Sequence, residues 1–196
     1  MGLNLDYQDG QTPIDEDEKE GLLIKTISTK KELDEFEQLN IENALEWVLS
    51  KNFKPGVVFS EAFICGLHKR MYGTVWSWAG QFRKTTKNLG IASYQISVEL
   101  KVLCDDALFW LQNHTYPEDE IAIRFKHRLV SIHCFSNGNG RHSRLMADII
   151  IGKLFKKPMF SWGADSGQHN IRSSYLKAIK LADTNDYKPL LSFSRS

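Results

Sequence analysis

The chain has 196 residues, 42% hydrophobic, 11% aromatic and 25% charged, enough for one substantial core in an ordinary globular domain. A formal net charge of +1 at pH 7 provides no broad field for holding DNA or an anionic membrane, so direct DNA binding is not expected and nucleotide contacts should be local. No apolar run reaches a membrane span, the first residues carry no basic or apolar leader, and Cys65, Cys104 and Cys134 lack metal-type pairing; reduced thiols in the cytoplasm are expected.

In chain order, residues 6–21 are dense in Asp and Glu and broken by Gly10, Pro13 and Gly21, which reads as a loose lead-in. Residues 1–31 are thus an acidic N-terminal extension, and 32–196 one domain. Leu33, Phe36, Leu39, Asn40, Ala44, Trp47 and Val48 recur at helical spacing behind Thr29 or Ser28 as N-cap, predicting a helix to about Ser50. Pro55-Gly56 breaks the chain, and Ser60 caps a helix to about Tyr72. Residues 73–97 lose the period; Leu89-Gly90-Ile91 and Tyr94-Gln95-Ile96 suggest a short hairpin. Helices return over about Val98 to Asn113 and Glu118 to Ile132, and a strongly apolar one runs from Leu145 to Phe155 before Lys156-Lys157-Pro158. An amphipathic helix spans 172–183, and the sum is an all-α bundle with one hairpin.

Between two of these helices lies His133-Cys134-Phe135-Ser136-Asn137-Gly138-Asn139-Gly140-Arg141-His142-Ser143-Arg144. Gly138 and Gly140 permit a tight turn and close approach to a ligand, and the N–H groups opening the next helix lack partners within it, which suits phosphate. Arg141 and Arg144, three apart, project from one helix face and can grip a polyphosphate at two points. His133 stands beside this cradle with an ordinary pKa of about 6.5, suited to taking a proton from a hydroxyl. Phe135 reads as packing under the loop, Cys134 as a small space-filler, and His142, between the arginines, as exposed. His68, His114, His127 and His169 read as structural. His133 with His142 is not a recognised metal-ligand pattern.

This segment resembles the signature of the Fic (filamentation induced by cAMP) family, H-x-F-x-(D/E/N)-G-N-G-R-x-x-R, and Trp78-Ala79-Gly80-Gln81-Phe82-Arg83 resembles the family's W-A-G-x-x-R stretch. With Tyr175 to Ile179 and Asn185 to Leu190, the likeness covers roughly residues 33–193, and in detail the chain looks like the group called mobile mystery protein B. The resemblance implies a Fic-type helical bundle that transfers AMP from ATP to a Ser, Thr or Tyr hydroxyl of a target protein and releases pyrophosphate. His133 would activate the hydroxyl; Gly138, Asn139 and Gly140 would cradle the phosphates; Arg141 and Arg144 would hold the β- and γ-phosphates. Asn137 stands where many relatives carry a carboxylate for Mg²⁺, so affinity for Mg²⁺ or Mn²⁺ should fall.

Thr85, Thr86, Lys87, Asn88, Leu89 and Gly90 occupy the place of the family's flap, a hairpin that registers the target by strand addition; an ordinary covering loop is the alternative. Many Fic proteins are held off by a helix bearing (S/T)-x-x-x-E-(G/N), whose Glu pairs with the second motif arginine and displaces the γ-phosphate. Glu20-Gly21 is the candidate, although Glu16 stands where Ser or Thr is expected, with Glu42-Asn43 as rival and a solvated acidic face as the simpler reading of either. In Glu37, Asn40, Ala44 and Leu45 the chain resembles the E-x-x-N-x-x-x-A-L pattern that follows the inhibitory helix of some relatives. A Fic-fold transferase with another donor, and a weak nucleotide-binding regulatory module, remain alternatives, as does a homo-oligomer.

Overall fold

The computed structural model describes residues 14–164 and 171–196, so part of the acidic extension and His169 lie outside the described residues. Nine α-helices are found among them: α1 (Glu16–Lys19), α2 (Lys30–Leu49), α3 (Pro55–Val58), α4 (Glu61–Tyr72), α5 (Ile96–Gln112), α6 (Glu118–Ile132), α7 (Asn139–Ile149), α8 (Ile171–Ala182) and α9 (Lys188–Ser194). A capping box explains the abrupt start of α2: Thr29 Oγ1 accepts from the Glu32 N–H while the Glu32 carboxylate accepts from the Thr29 N–H. Ser60 caps α4 in the same way through the Phe63 N–H.

Helix α6 lies between α5 and α7, α4 packs along α2 and touches α7, and the α8–α9 pair closes over α6. Ile64, Leu67 and Met71 of α4, Phe125 of α6 and Met146, Ile149 and Ile150 of and after α7 are fully buried, so the core forms a rigid floor beneath the segment joining α6 to α7. Beyond Ile149 the apolar run widens into a π turn, Ile150–Leu154, rather than continuing as α-helix.

Two expectations need correction. The buried face of α2 consists of Leu33, Glu37, Asn40, Ala44 and Val48, whereas Phe36 and Leu39, assigned to the core from spacing, are exposed. The hairpin over 89–97 does not form; residues 81–92 are irregular, Ser93–Gln95 is a 3₁₀ turn, and Ile96 is already buried in α5. Arg83 holds the segment instead: its Nε donates to the His133 carbonyl (2.6 Å), its Nη1 to the Thr85 carbonyl (2.7 Å) and its Nη2 to the Ile91 carbonyl, the last an acceptor within the expected strand. The β pairing present among the described residues is a single bridge, Leu22 with Trp76, which ties the end of the N-terminal extension to the chain after α4.

Candidate active site at the junction of two helices

Helix α6 ends at His133, which adopts the left-handed conformation (φ 57°) and hands the chain into the loop. The loop closes on itself: the Asn139 side chain accepts from the Phe135 N–H (3.0 Å) and donates to the Phe135 carbonyl (2.7 Å). Asn139 is therefore a staple, and its amide faces inward instead of toward a phosphate. Phe135 is fully buried and stacks on the His68 ring at 3.8 Å, as its place between polar neighbours suggested.

His68 is the second support of the loop. Its Nδ1 accepts from the Gly80 N–H (3.0 Å), so Nε2 carries the proton and donates to the Asn137 carbonyl (3.0 Å). Burial, with the nearby His142 adding to it, holds its pKa well below the usual value, which keeps this two-ended bond in its neutral form. His142, expected to be exposed, is buried and hydrogen-bonded through Nε2 to the Ile64 carbonyl (3.0 Å), facing away from the cavity.

Gly138 begins α7 at φ 78°, and a Cβ there would lie 2.5 Å from the Tyr72 ring, so both backbone and space require glycine. Gly140 differs: its φ is not left-handed and a Cβ would meet nothing within 4 Å. The tight turn belongs to Gly138 alone, and Gly140 opens onto the cavity.

That cavity, about 550 Å³, is lined by His133, Asn137 to Arg141 and Arg144, by Lys30, Asp34 and Glu37 of α2, and by Ile171, Arg172 and Tyr175 of α8. The structure thus gathers the sequence-derived base, loop and arginines around one space. His133 is buried, and its pKa is lowered to about 4, first by that burial and then by the charges of Arg83 and Lys87, against a raising hydrogen bond with the Val130 backbone. The imidazole is accordingly neutral at pH 7.

Arg141 donates through Nη2 to Glu37 Oε2 (2.6 Å), and Trp76 Nε1 donates to Glu37 Oε1 (2.7 Å). Glu37 is only 3% exposed, and it is the acidic group that meets a motif arginine. Glu20, the residue expected to do so, is exposed at the end of α1 and does not line the cavity. Glu42 is exposed on the outer face of α2, hydrogen-bonded to Gln38. Sequence reasoning missed Glu37 as a site residue, yet a carboxylate at a position of the buried stripe of α2 was the available signal. Lys126, fully buried in α6, was also missed; its ammonium reaches the Tyr175 hydroxyl, and burial with the charge of Arg144 holds its pKa well below normal.

The Asn137 side chain is engaged within the loop. Its Oδ1 accepts from the Gly138 N–H (2.6 Å), and among the described residues no three His, Cys, Asp or Glu side chains converge as a metal site would need. A neutral amide oxygen engaged by the loop is a poor replacement for the carboxylate.

The Fic/DOC family model matches residues 58–151, which include α4, α6, the loop and α7. Among curated proteins, a protein adenylyltransferase Fic of Drosophila grimshawi is 30% identical over 135 residues, 66% of this chain and 26% of its own length. Another of Aedes aegypti is 24% identical over 168 residues, 83% of this chain and 32% of its own length. The chain therefore spans between a quarter and a third of these curated relatives. Among solved structures, the N-terminal Fic domain of Bep8 from Bartonella sp. 1-1C superposes with a TM-score of 0.69 at 15% identity, covering 88% of this chain and 89% of that one. BepC of Bartonella tribocorum, solved with bound AMPPNP, gives 0.68 at 15% identity, covering 92% and 97%. Residues 134–508 of Fic-1 from C. elegans give 0.64 at 22% identity, covering 80% and 46%.

Proposed function

This chain carries a Fic domain, and from that premise we propose that it transfers AMP from ATP to a Ser, Thr or Tyr hydroxyl of a target protein. One observation carries the reading: His133, the start of α7 and both motif arginines line one cavity. The neutral His133 ring accepts the hydroxyl proton as the oxygen attacks the α-phosphorus; the bond from that phosphorus to the bridging oxygen breaks, and pyrophosphate leaves. The N–H groups opening α7 receive phosphate oxygens in the space left by Gly140, and Arg141 and Arg144 orient the leaving group. BepC, solved with bound AMPPNP, supports a nucleotide as the ligand of this fold. A base whose pKa is about 4 takes up a proton weakly, but the negative charge of a bound triphosphate beside it raises that value.

The side chains do not fit a protein-held Mg²⁺ or Mn²⁺, and no step here runs through one; such an ion would be carried by the nucleotide's phosphates and water. Glu37 occupies Arg141, the first motif arginine, and competes with phosphate for it, a different contact from the pairing with the second arginine expected of Glu20. Incubating wild type, His133→Ala and Glu37→Gln with ATP labelled on the α-phosphate tests the reading in a protein mixture. A labelled band, stronger with Glu37→Gln and lost with His133→Ala, is expected. ATP binding with no transfer by any variant would identify a nucleotide-binding module instead.

A further inference from the structure

The N-terminal segment lies on residues 77–90 beside the candidate base. Lys87 Nζ sits between Asp15 Oδ2 (2.6 Å) and Glu18 Oε2 (2.5 Å), its side chain only 4% exposed. Thr85 Oγ1 donates to Asp15 Oδ2 (3.2 Å), and Trp78 Nε1 donates to the Glu18 carbonyl (3.0 Å). The two carboxylates are thus held by a cation, one of them also by a hydroxyl, while the indole anchors the Glu18 backbone, a tighter arrangement than ion pairs in open water produce. Ile14, the residue before Asp15, lines the cavity. The far end of the same loop presses on the base, since a Cβ at Gly90 would collide with Cβ of His133. Lys87 lies close enough for its charge to act on the imidazole.

We infer that residues 14–18 occupy the docking place of the acceptor, and that the acceptor is an acidic segment whose carboxylate takes over Lys87 and sets its hydroxyl beside His133. This rests on the transferase reading above and names the substrate class for it. The occupant supplies the chemistry: a cation almost wholly removed from water tolerates only a partner that replaces its anions, because stranding it leaves a buried charge uncompensated. Lys87 is then the specificity-determining residue, rejecting basic segments by the same charge that admits acidic ones. The chain's own segment is an intramolecular competitor, favoured by the high local concentration that tethering gives.

The test is peptide binding to the full chain, read by fluorescence anisotropy. The probes are two 12-residue peptides with a central Ser, one flanked by Glu and Asp, the other by Lys. Asp15→Asn with Glu18→Gln should bind the acidic peptide about tenfold tighter than wild type and the basic peptide no better. Lys87→Glu should reverse the preference. Amide exchange over residues 15–19 should speed up in both variants, showing release of the segment independently of any peptide. Equal affinity of Lys87→Glu for the two peptides, or no tightening in the double variant with exchange already accelerated, would overturn the inference. Binding needs no turnover. A preserved charge preference without AMP transfer removes the transferase reading alone, and transfer that ignores flanking charge removes this one.

Discussion

The two sides of the cavity are built in opposite ways. On the loop side, the turn is closed locally, Asn139 bonding both backbone groups of Phe135 four residues away and Gly138 turning the chain into α7, with His68 of the packed α4 bracing the Asn137 carbonyl. On the N-terminal side, Lys87 reaches Asp15 and Glu18 across 72 and 69 residues, and Arg83 reaches the His133 carbonyl across 50. The first is a local object on a packed floor, the second an assembly of distant polar pairs. Such pairs exchange partners far more cheaply than a core rearranges, so the loop side is suited to staying fixed and the N-terminal side to opening.

Four experiments break or sharpen that contrast. His133→Ala should have the largest effect, lowering transfer by roughly 10²–10⁴-fold while leaving ATP affinity in calorimetry nearly intact, because the imidazole acts on the acceptor. Gly138→Ala comes next. The left-handed conformation alone costs about 1–2 kcal/mol, and the collision with Tyr72 adds to it; thermal denaturation should show the loss, with partial recovery when Tyr72→Phe removes the hydroxyl 2.7 Å from the added methyl. No recovery would place the cost in the backbone and in the ring carbons 2.5 and 2.6 Å from the added methyl rather than in the hydroxyl.

Glu37→Gln should lower stability by about 1–3 kcal/mol through loss of a buried charged acceptor, yet tighten ATP binding, since phosphate no longer competes for Arg141. Opposite signs in denaturation and calorimetry are the signature; weaker ATP binding would make Glu37 a positioning group for Arg141. The smallest effect is on pH. His133 and His142 have folded values near 4, and His68 is lowered as well, all through burial, so the unfolded chain binds more protons than the folded one below pH 6.5. Their penalty is absent above pH 6.5 and grows as pH falls to about 4. Melting temperature should decline through that window while kcat/KM for ATP, which reports the nucleotide-free enzyme, holds to below pH 6; an acid limb at 6.5 in that profile would mean the acting base is not the buried imidazole.

The same contrast explains what the sequence revealed. Helix starts at Thr29 and Ser60 were legible because a cap and its N–H lie three residues apart, and the loop was legible because its chemistry is contiguous. The phase of α2 was misjudged because Phe36 and Leu39 fit a helical stripe as well as Leu33 does, and periodicity cannot say which stripe meets the core. Leu89, Ile91 and Ile96 have strand-like character, but the Arg83 guanidinium holds the Ile91 carbonyl, an acceptor within the expected strand, and nothing local in the sequence shows that. Glu20 followed from a motif, and Glu37 from geometry: a fold reaches an arginine with whichever carboxylate its packing brings there.

The bond from Trp76 Nε1 to Glu37 makes that indole a built-in optical reporter. Trp76 is fully buried and stacked on Trp78 at 4.9 Å, so its emission depends on this neighbouring carboxylate rather than on solvent. Phosphate that draws Arg141 away from Glu37 alters the charge beside the ring. Titrating ATP into the unlabelled protein should therefore shift tryptophan fluorescence, and the shift should vanish in Trp76→Phe, giving a spectroscopic reading of the phosphate clamp without any acceptor present.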